Sequence, residues 1–290
     1  METNKVHKNV SLTKFNSWKV GGKAENFVIC SDISFLCQLI KNKKVQRPIK
    51  FIGLGSNILV RDNGVKGTTI VMHKGLNNFF KEEGLFYSEA GLSCSKFSKL
   101  IAKEGHIGSA FLSGIPGTIG GALAMNAGCY GSEIWSFVKK VKMINADGDL
   151  IERNPNEFKV GYRKIQKKNE AENFVGAWFS FPKGKKLEAE ESIRKLLSHR
   201  KSTQPLSWPS AGSTFKNPDN NHAAKLIEDC GLKGFKIGDA KISEKHANFI
   251  INLGAAKAKD IEDLIKHIKK IVFKETKIKL IPEVEIIGDV

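Results

Sequence analysis

Residues 113–128 read SGIPGTIGGALAMNAG. Five of the sixteen positions are glycine and none is charged, in a chain where Lys and Arg together number 47. Such a run makes a poor solvated loop and a poor helix. Glycine admits φ > 0 and close backbone approach, and successive N–H groups exposed in that way form a concave anion site. The segment therefore predicts a cradle for a phosphate-bearing cofactor. Its candidate contacts are Ser113, Gly114, Pro116, Gly117, Thr118, Gly120, Gly121, Asn126 and Gly128. A tight buried turn of small residues is the alternative reading.

A second glycine loop begins 60 residues upstream, Gly53-Leu54-Gly55-Ser56-Asn57-Ile58-Leu59. It follows a short apolar run, Lys50–Leu54, as a phosphate loop would. It is not a dinucleotide fingerprint, because the third glycine and the following helix are missing. Nor is it a P-loop, since Gly-Lys-Ser/Thr is absent. Ser56 and Asn57 offer donors to phosphate or ribose oxygens, with Gly53, Gly55 and Leu59 completing the candidate contacts. A plain turn fits this loop equally well on its own. Two such loops in one domain can together bracket a pyrophosphate.

Around these loops, strands and helices alternate without a regular repeat. Lys50–Leu54, Thr68–Met72 and Phe174–Phe181 read as buried strands. Ser31–Lys43 and Ser95–Glu104 carry helical apolar spacing, with Ser31 or Asp32 and then Gly105 as punctuation. Asp147-Gly148 joins Lys139–Asn145 to Leu150–Arg153 as a hairpin. Charges crowd into Lys183–Lys201, a plausible domain crossing. Beyond it lie a short helix at Ala223–Cys230, a strand at Ala247–Leu253, a strongly amphipathic helix at Asp260–Glu275, and a closing strand at Lys277–Ile287. Pro282 interrupts that last strand, which argues for an edge or a bulge. The predicted class is α+β.

Composition narrows the function. With 290 residues and 41% apolar content, two packed domains are the natural expectation. Nothing approaches the roughly 18 consecutive apolar residues of a membrane span, and the N-terminus has no apolar signal region; the expectation is a cytoplasmic protein. The five cysteines are odd in number, with no CxxC pair, and no His or Cys sits at zinc spacing; reduced thiols and no metal are expected. The net charge of +17 permits nucleic-acid binding, but the lysines are dispersed. A solvated surface that also attracts small polyanions is the preferred reading.

The paired loops resemble the FAD-binding domain of the vanillyl-alcohol-oxidase (PCMH) type. The resemblance sharpens at Asn16-Ser17-Trp18-Lys19-Val20-Gly21-Gly22, at Gly161-Tyr162-Arg163, at Ala211-Gly212-Ser213-Thr214-Phe215-Lys216-Asn217-Pro218 and at Pro282-Glu283-Val284. Together with Gly114–Ala122 these motifs are similar to those of the UDP-N-acetylenolpyruvoylglucosamine reductase (MurB) family across essentially the whole chain. Ser17 stands where threonine is usual and keeps the hydroxyl. The short stretch from Tyr162 to Ser213 resembles the family type that lacks an inserted substrate-covering segment.

The resemblance implies a flavoenzyme of peptidoglycan precursor synthesis. NADPH would reduce bound FAD, and an enolpyruvyl UDP-sugar would then accept a hydride at C3 and a proton at C2. Arg163 would hold the substrate carboxylate, Ser213 would donate the proton, and Glu283, protonated, would act as an acid or donor. Glu285 rivals Glu283, two residues along the same strand face. Tyr162, Lys216 and Asn217 would meet the substrate. Read from local sequence alone, the preferred readings are instead a surface ion pair for Arg163, a turn hydroxyl for Ser213 and a core ring for Tyr162; His246 is taken as structural. The implied domains are residues 1–187 for FAD, in two subdomains split near 75, and 188–290 for substrate, with the last strand (about 278–290) returning toward the flavin. A monomer is expected. The alternatives are another flavin oxidoreductase of this fold, acting on alcohols or sugars, and a nucleic-acid-binding module.

Overall fold

The strand Ile49–Ile52 runs parallel to Val65–Val71, pairing Ile49 with Thr68 and Ile52 with Val71. Their carboxyl ends, Gly53 and Met72-His73, therefore fall at one edge of the sheet, the usual place for a ligand crevice in such folds. This pair belongs to the first of two units in the computed structural model, which describes residues 1–290. The first unit comprises Met1–Lys8, Asn26–Leu54 and Gly67–Arg200; the second comprises Asn9–Glu25, Gly55–Lys66 and Lys201–Val290. The chain thus enters the second unit three times, and position 187 lies inside a helix, Lys186–Thr203.

In the first unit, helix α1 (Ile33–Lys41) starts where Asp32 accepts a hydrogen bond from the Phe35 N–H at 2.7 Å. It buries Leu36, Leu39 and Ile40 against Val28, Ile70 and Met72. Each fully buried side chain of this kind contributes about 1.5–3 kcal/mol. The expected hairpin forms, Val138–Ile144 pairing antiparallel with Leu150–Arg153. It extends into a five-stranded sheet through Asn173–Phe179, Leu85–Glu89 and Phe79–Glu82. Successive residues of Val138–Ile144 point to opposite faces of the sheet, so Val141 and Met143 join the Phe86–Phe97–Phe179 core and Ile144 joins that of α1. Helices α2 (Cys94–Lys103) and α3 (Ile119–Met125) complete the Phe97 core.

After α4 (Lys186–Thr203), the second unit is built on α5 (Ala223–Asp229), α6 (Ala258–Thr276) and a three-stranded antiparallel sheet whose last strand is Ile250–Asn252. The predicted stripe of α6, Ile261, Leu264, Ile265, Ile268 and Val272, is buried with Trp18, Leu59 and Phe215. The closing strand is shorter than its apolar pattern suggests. Only Glu285–Ile287 forms a ladder, parallel to Ile58–Val60. Pro282 has no N–H to contribute and forms an isolated bridge with Phe215.

Candidate active site

The two glycine loops meet. A Cβ on Gly53 would lie 2.3 Å from Thr118 Oγ1, so only glycine permits this approach. Thr118 in turn caps α3, accepting from the Gly121 N–H at 3.3 Å. The glycines of α3 divide by role. Gly120 is pressed against Ala90, where an added Cβ would come within 2.7 Å of its Cβ. Gly121 is exposed, and an added Cβ would meet only its own cap, at 3.6 Å. Pro116, Gly121 and Ala124 are exposed, with Gly114, Ile115 and Met125 half-buried. They form an open strip without charge.

Other residues of the first unit surround these loops. His73 Nδ1 lies 3.1 Å from the Gly53 carbonyl oxygen, and burial holds its imidazole pKa below the ordinary value of 6.5; the neutral ring donates to Gly53. The Ser113 hydroxyl donates to the Ala110 carbonyl at 2.6 Å. Asn126 ends α3 in the left-handed conformation, φ 48°. Its fully buried carboxamide donates to Glu133 at 2.7 Å and to the Gly161 carbonyl at 3.1 Å. Asn126 thus ties the glycine segment to the hairpin that carries Tyr162 and Arg163.

That hairpin joins Lys159–Gly161 to Lys164–Gln166. Arg163 sits at φ 52°, a region that non-glycine residues adopt at a cost of about 1–2 kcal/mol. Tyr162 is 50% exposed, so it is not a core ring. The hairpin's base is held by Arg153, which grips the buried Glu172 in two bonds of 2.6 and 3.0 Å. Cys129 lies close enough to Arg163 and Arg200 to feel both positive charges, yet burial pushes its thiol up to about 11; it is not a nucleophile. Its neighbour Tyr130 approaches Gly114 and stands edge-on to His199 at 5.9 Å. His73, Tyr130 and Arg200 carry no local motif. Only the parallel register at Gly53 hints at His73.

In the second unit, Ser213 follows Gly212, whose φ is +77°. The Glu283 N–H donates to the Thr214 carbonyl at 2.8 Å, and the Lys216 N–H to the Ile281 carbonyl at 2.9 Å. These bonds flank the isolated bridge of Phe215 with Pro282 and bring the backbone of Glu283 against that of Thr214, the residue after Ser213. Asn248 secures the other side: its carboxamide accepts from the Phe215 N–H at 2.9 Å and donates to the Phe215 carbonyl at 2.8 Å. Ser213, Lys216 and Glu283 are half-buried, and Asn217 and Glu285 are exposed. The Asn217 side-chain oxygen accepts from the Ala223 N–H at 3.1 Å.

The Gly53 loop continues into the second unit. Gly55, at φ +66°, lets the backbone close on Phe15, where a Cβ would sit 2.0 Å from the carbonyl oxygen. Ser56 is half-buried, Leu59 is fully buried in the core, and the Asn57 carboxamide donates to the Glu283 carbonyl at 3.1 Å. Leu59 and Asn57 thus direct their side chains to protein partners.

Residues 26–154 match the family described as FAD binding domain, and both glycine loops fall within that span. The close approach of Gly53 to Thr118 and the exposed, uncharged surface at Pro116, Gly121 and Ala124 fit a flavin dinucleotide. The fold and these loops define an α+β flavoprotein. Residues 204–287 match the family described as UDP-N-acetylenolpyruvoylglucosamine reductase, C-terminal domain. The chain is 46% identical to the UDP-N-acetylenolpyruvoylglucosamine reductase of Nitrosomonas eutropha, over 94% of this chain and 85% of that one. It is 45% identical to the reductase of Methylococcus capsulatus, over 96% and 91%. A crystal structure of the reductase from Thermus caldophilus superposes with a TM-score of 0.84 at 31% identity, covering 98% of this chain and 99% of the other. The chain belongs to the UDP-N-acetylenolpyruvoylglucosamine reductase family.

Proposed function

We propose that this flavin-dependent oxidoreductase of peptidoglycan precursor synthesis converts UDP-N-acetylglucosamine enolpyruvate to UDP-N-acetylmuramate, with NADPH as electron donor. Bound FAD supplies the hydride that adds to C3 of the enolpyruvyl group. Charge then develops at C2 and spreads into the carboxylate. The Arg163 guanidinium holds that carboxylate through its planar fork and stays charged; a donor aimed at developing charge is worth about 3–4 kcal/mol. The left-handed backbone at Arg163 supports this role, since strain of this kind concentrates at functional positions. The Ser213 hydroxyl gives its proton to C2, an acceptor basic enough to draw on a weak acid. Glu283, in its protonated form, donates a hydrogen bond to the same anion. Lys216 and Asn217 meet the UDP-sugar, and Tyr162 covers it.

The first unit carries the cofactor and the second the substrate, a division supported by the two family matches. What supports the reading is the 2.8 Å bond from Glu283 N–H to the Thr214 carbonyl, which joins the segments that carry Ser213 and Glu283. The test is anaerobic. NADPH bleaches the flavin, and the enolpyruvyl UDP-sugar restores the oxidised spectrum. Ser213→Ala accepts electrons from NADPH at the wild-type rate and passes them on about 10²-fold more slowly. Normal turnover in that variant removes the proton-donor role, and a wild-type flavin that stays reduced removes the reading.

A further inference from the structure

Asn57 sits in the Gly53–Leu59 loop, where a side-chain amide would ordinarily be assigned to phosphate or ribose oxygens. Its observed partners lie elsewhere. The carboxamide donates to the Glu283 carbonyl at 3.1 Å, across 226 positions of sequence. The Asn57 carbonyl accepts the Glu285 N–H at 2.9 Å. One residue thus grips the chain on both sides of Val284, itself buried in the second unit's core. We infer that Asn57 is a positioning residue for Glu283.

The geometry makes the grip effective. The Glu283 N–H is already fixed on the Thr214 carbonyl at 2.8 Å. Pro282, immediately before it, has a locked φ and no N–H of its own. Asn57 supplies the bond at the other end, to the Glu283 carbonyl. With both peptide groups of Glu283 held, its Cα–Cβ direction is set and only side-chain torsions remain. Beyond the grip, Ile58–Val60 and Glu285–Ile287 continue as a parallel ladder, so the bonds of Asn57 open that ladder at the end next to Glu283. An alanine at 57 would keep the ladder but leave the Glu283 carbonyl to water. The carboxyl would then wander, and displacements of about 1 Å at a reacting group can cost 10²-fold in rate.

The inference rests on the role proposed for Glu283, and the experiment separates the two. Half-reactions are followed anaerobically in the wild type first; a wild-type flavin that is not reoxidised by the enolpyruvyl UDP-sugar marks failure of the functional reading itself. Asn57→Asp keeps the shape, removes the donor and faces an anionic oxygen toward the Glu283 carbonyl. It is expected to purify with a full complement of flavin and to be reduced by NADPH at the wild-type rate. Reoxidation should slow by about tenfold to a hundredfold, with kcat falling more than KM changes. The double variant Asn57→Asp/Glu283→Gln should be no slower than Glu283→Gln alone, because both act through one carboxyl. Loss of flavin, slowed reduction, unchanged reoxidation, or multiplied effects in the double variant each overturn the inference. Asn57→Ala provides the same readings should Asn57→Asp not fold; failure of both to fold assigns the residue to stability and overturns it as well.

Discussion

At the scale of single residues, the glycines of one motif do unlike work. Gly53 is required by Thr118, and Gly120 by Ala90, so both serve contacts within the protein. Gly121 faces open space on the uncharged strip. The two kinds respond oppositely to alanine. Gly53→Ala forces a Cβ into Thr118 and is expected to destabilise the first unit by about 1–3 kcal/mol. Gly121→Ala removes a helix-interior glycine and should stabilise the flavin-free protein by about 0.5–1 kcal/mol, yet weaken flavin binding. Denaturant midpoints of apo-protein and flavin titrations check both. Tight flavin binding by Gly121→Ala would move the cofactor off this strip. The sequence marks both positions alike, because what a Cβ would strike is decided by chain distant in sequence.

At the scale of elements, α1 shows how far local chemistry reaches. Its stripe and its cap are both readable, and Asp32 accepts from Phe35 as predicted for an N-cap. The Ser31 hydroxyl first, and then the Phe35 N–H, hold the Asp32 carboxyl below its ordinary 3.8. A carboxylate whose pKa is depressed by folding contributes stability above the unfolded value and loses it as pH falls through the folded one. Asp32→Ala should therefore cost about 1 kcal/mol at pH 7, and the difference from wild type should close in strong acid. Urea midpoints at pH 7 and below pH 3 measure it. The closing strand is the contrary case. Its apolar run spans Lys277–Ile287, but α6 continues to Thr276, Lys277 turns left-handed at φ 62°, and the ladder waits until Glu285. A strand extends only as far as it finds a partner, and pattern carries no record of the partner.

At the scale of the whole molecule, two half-buried imidazoles contribute to the response to acid. Burial lowers the pKa of His73, beside Gly53, and of His246, whose buried Nδ1 has no hydrogen-bond partner. Both are neutral in the folded protein and titrate near 6.5 when unfolded. Lowered folded values mean that the unfolded chain binds more protons, so stability is complete above 6.5 and declines as pH falls through the folded values. Thermal midpoints measured downward from pH 7 should drop, and His73→Gln with His246→Gln should flatten that drop. An unchanged slope would remove these two groups from the linkage. No helix is long and apolar enough to cross a membrane, and all five cysteines are free thiols.

The sequence by itself determined the α+β class, the two glycine loops, the helical stripes and the motifs that carry the family. These signals are short-range, set by backbone freedom, periodicity and capping within a few residues. Only the tertiary structure decided which side chains of those motifs face protein: Leu59 in the core, Asn126 on Gly161, Asn57 on Glu283. It also decided that Thr214, next to Ser213, shares a backbone hydrogen bond with Glu283 across 69 positions. A hydrogen bond is satisfied by whatever folding brings within about 3 Å, and local sequence does not encode that neighbour.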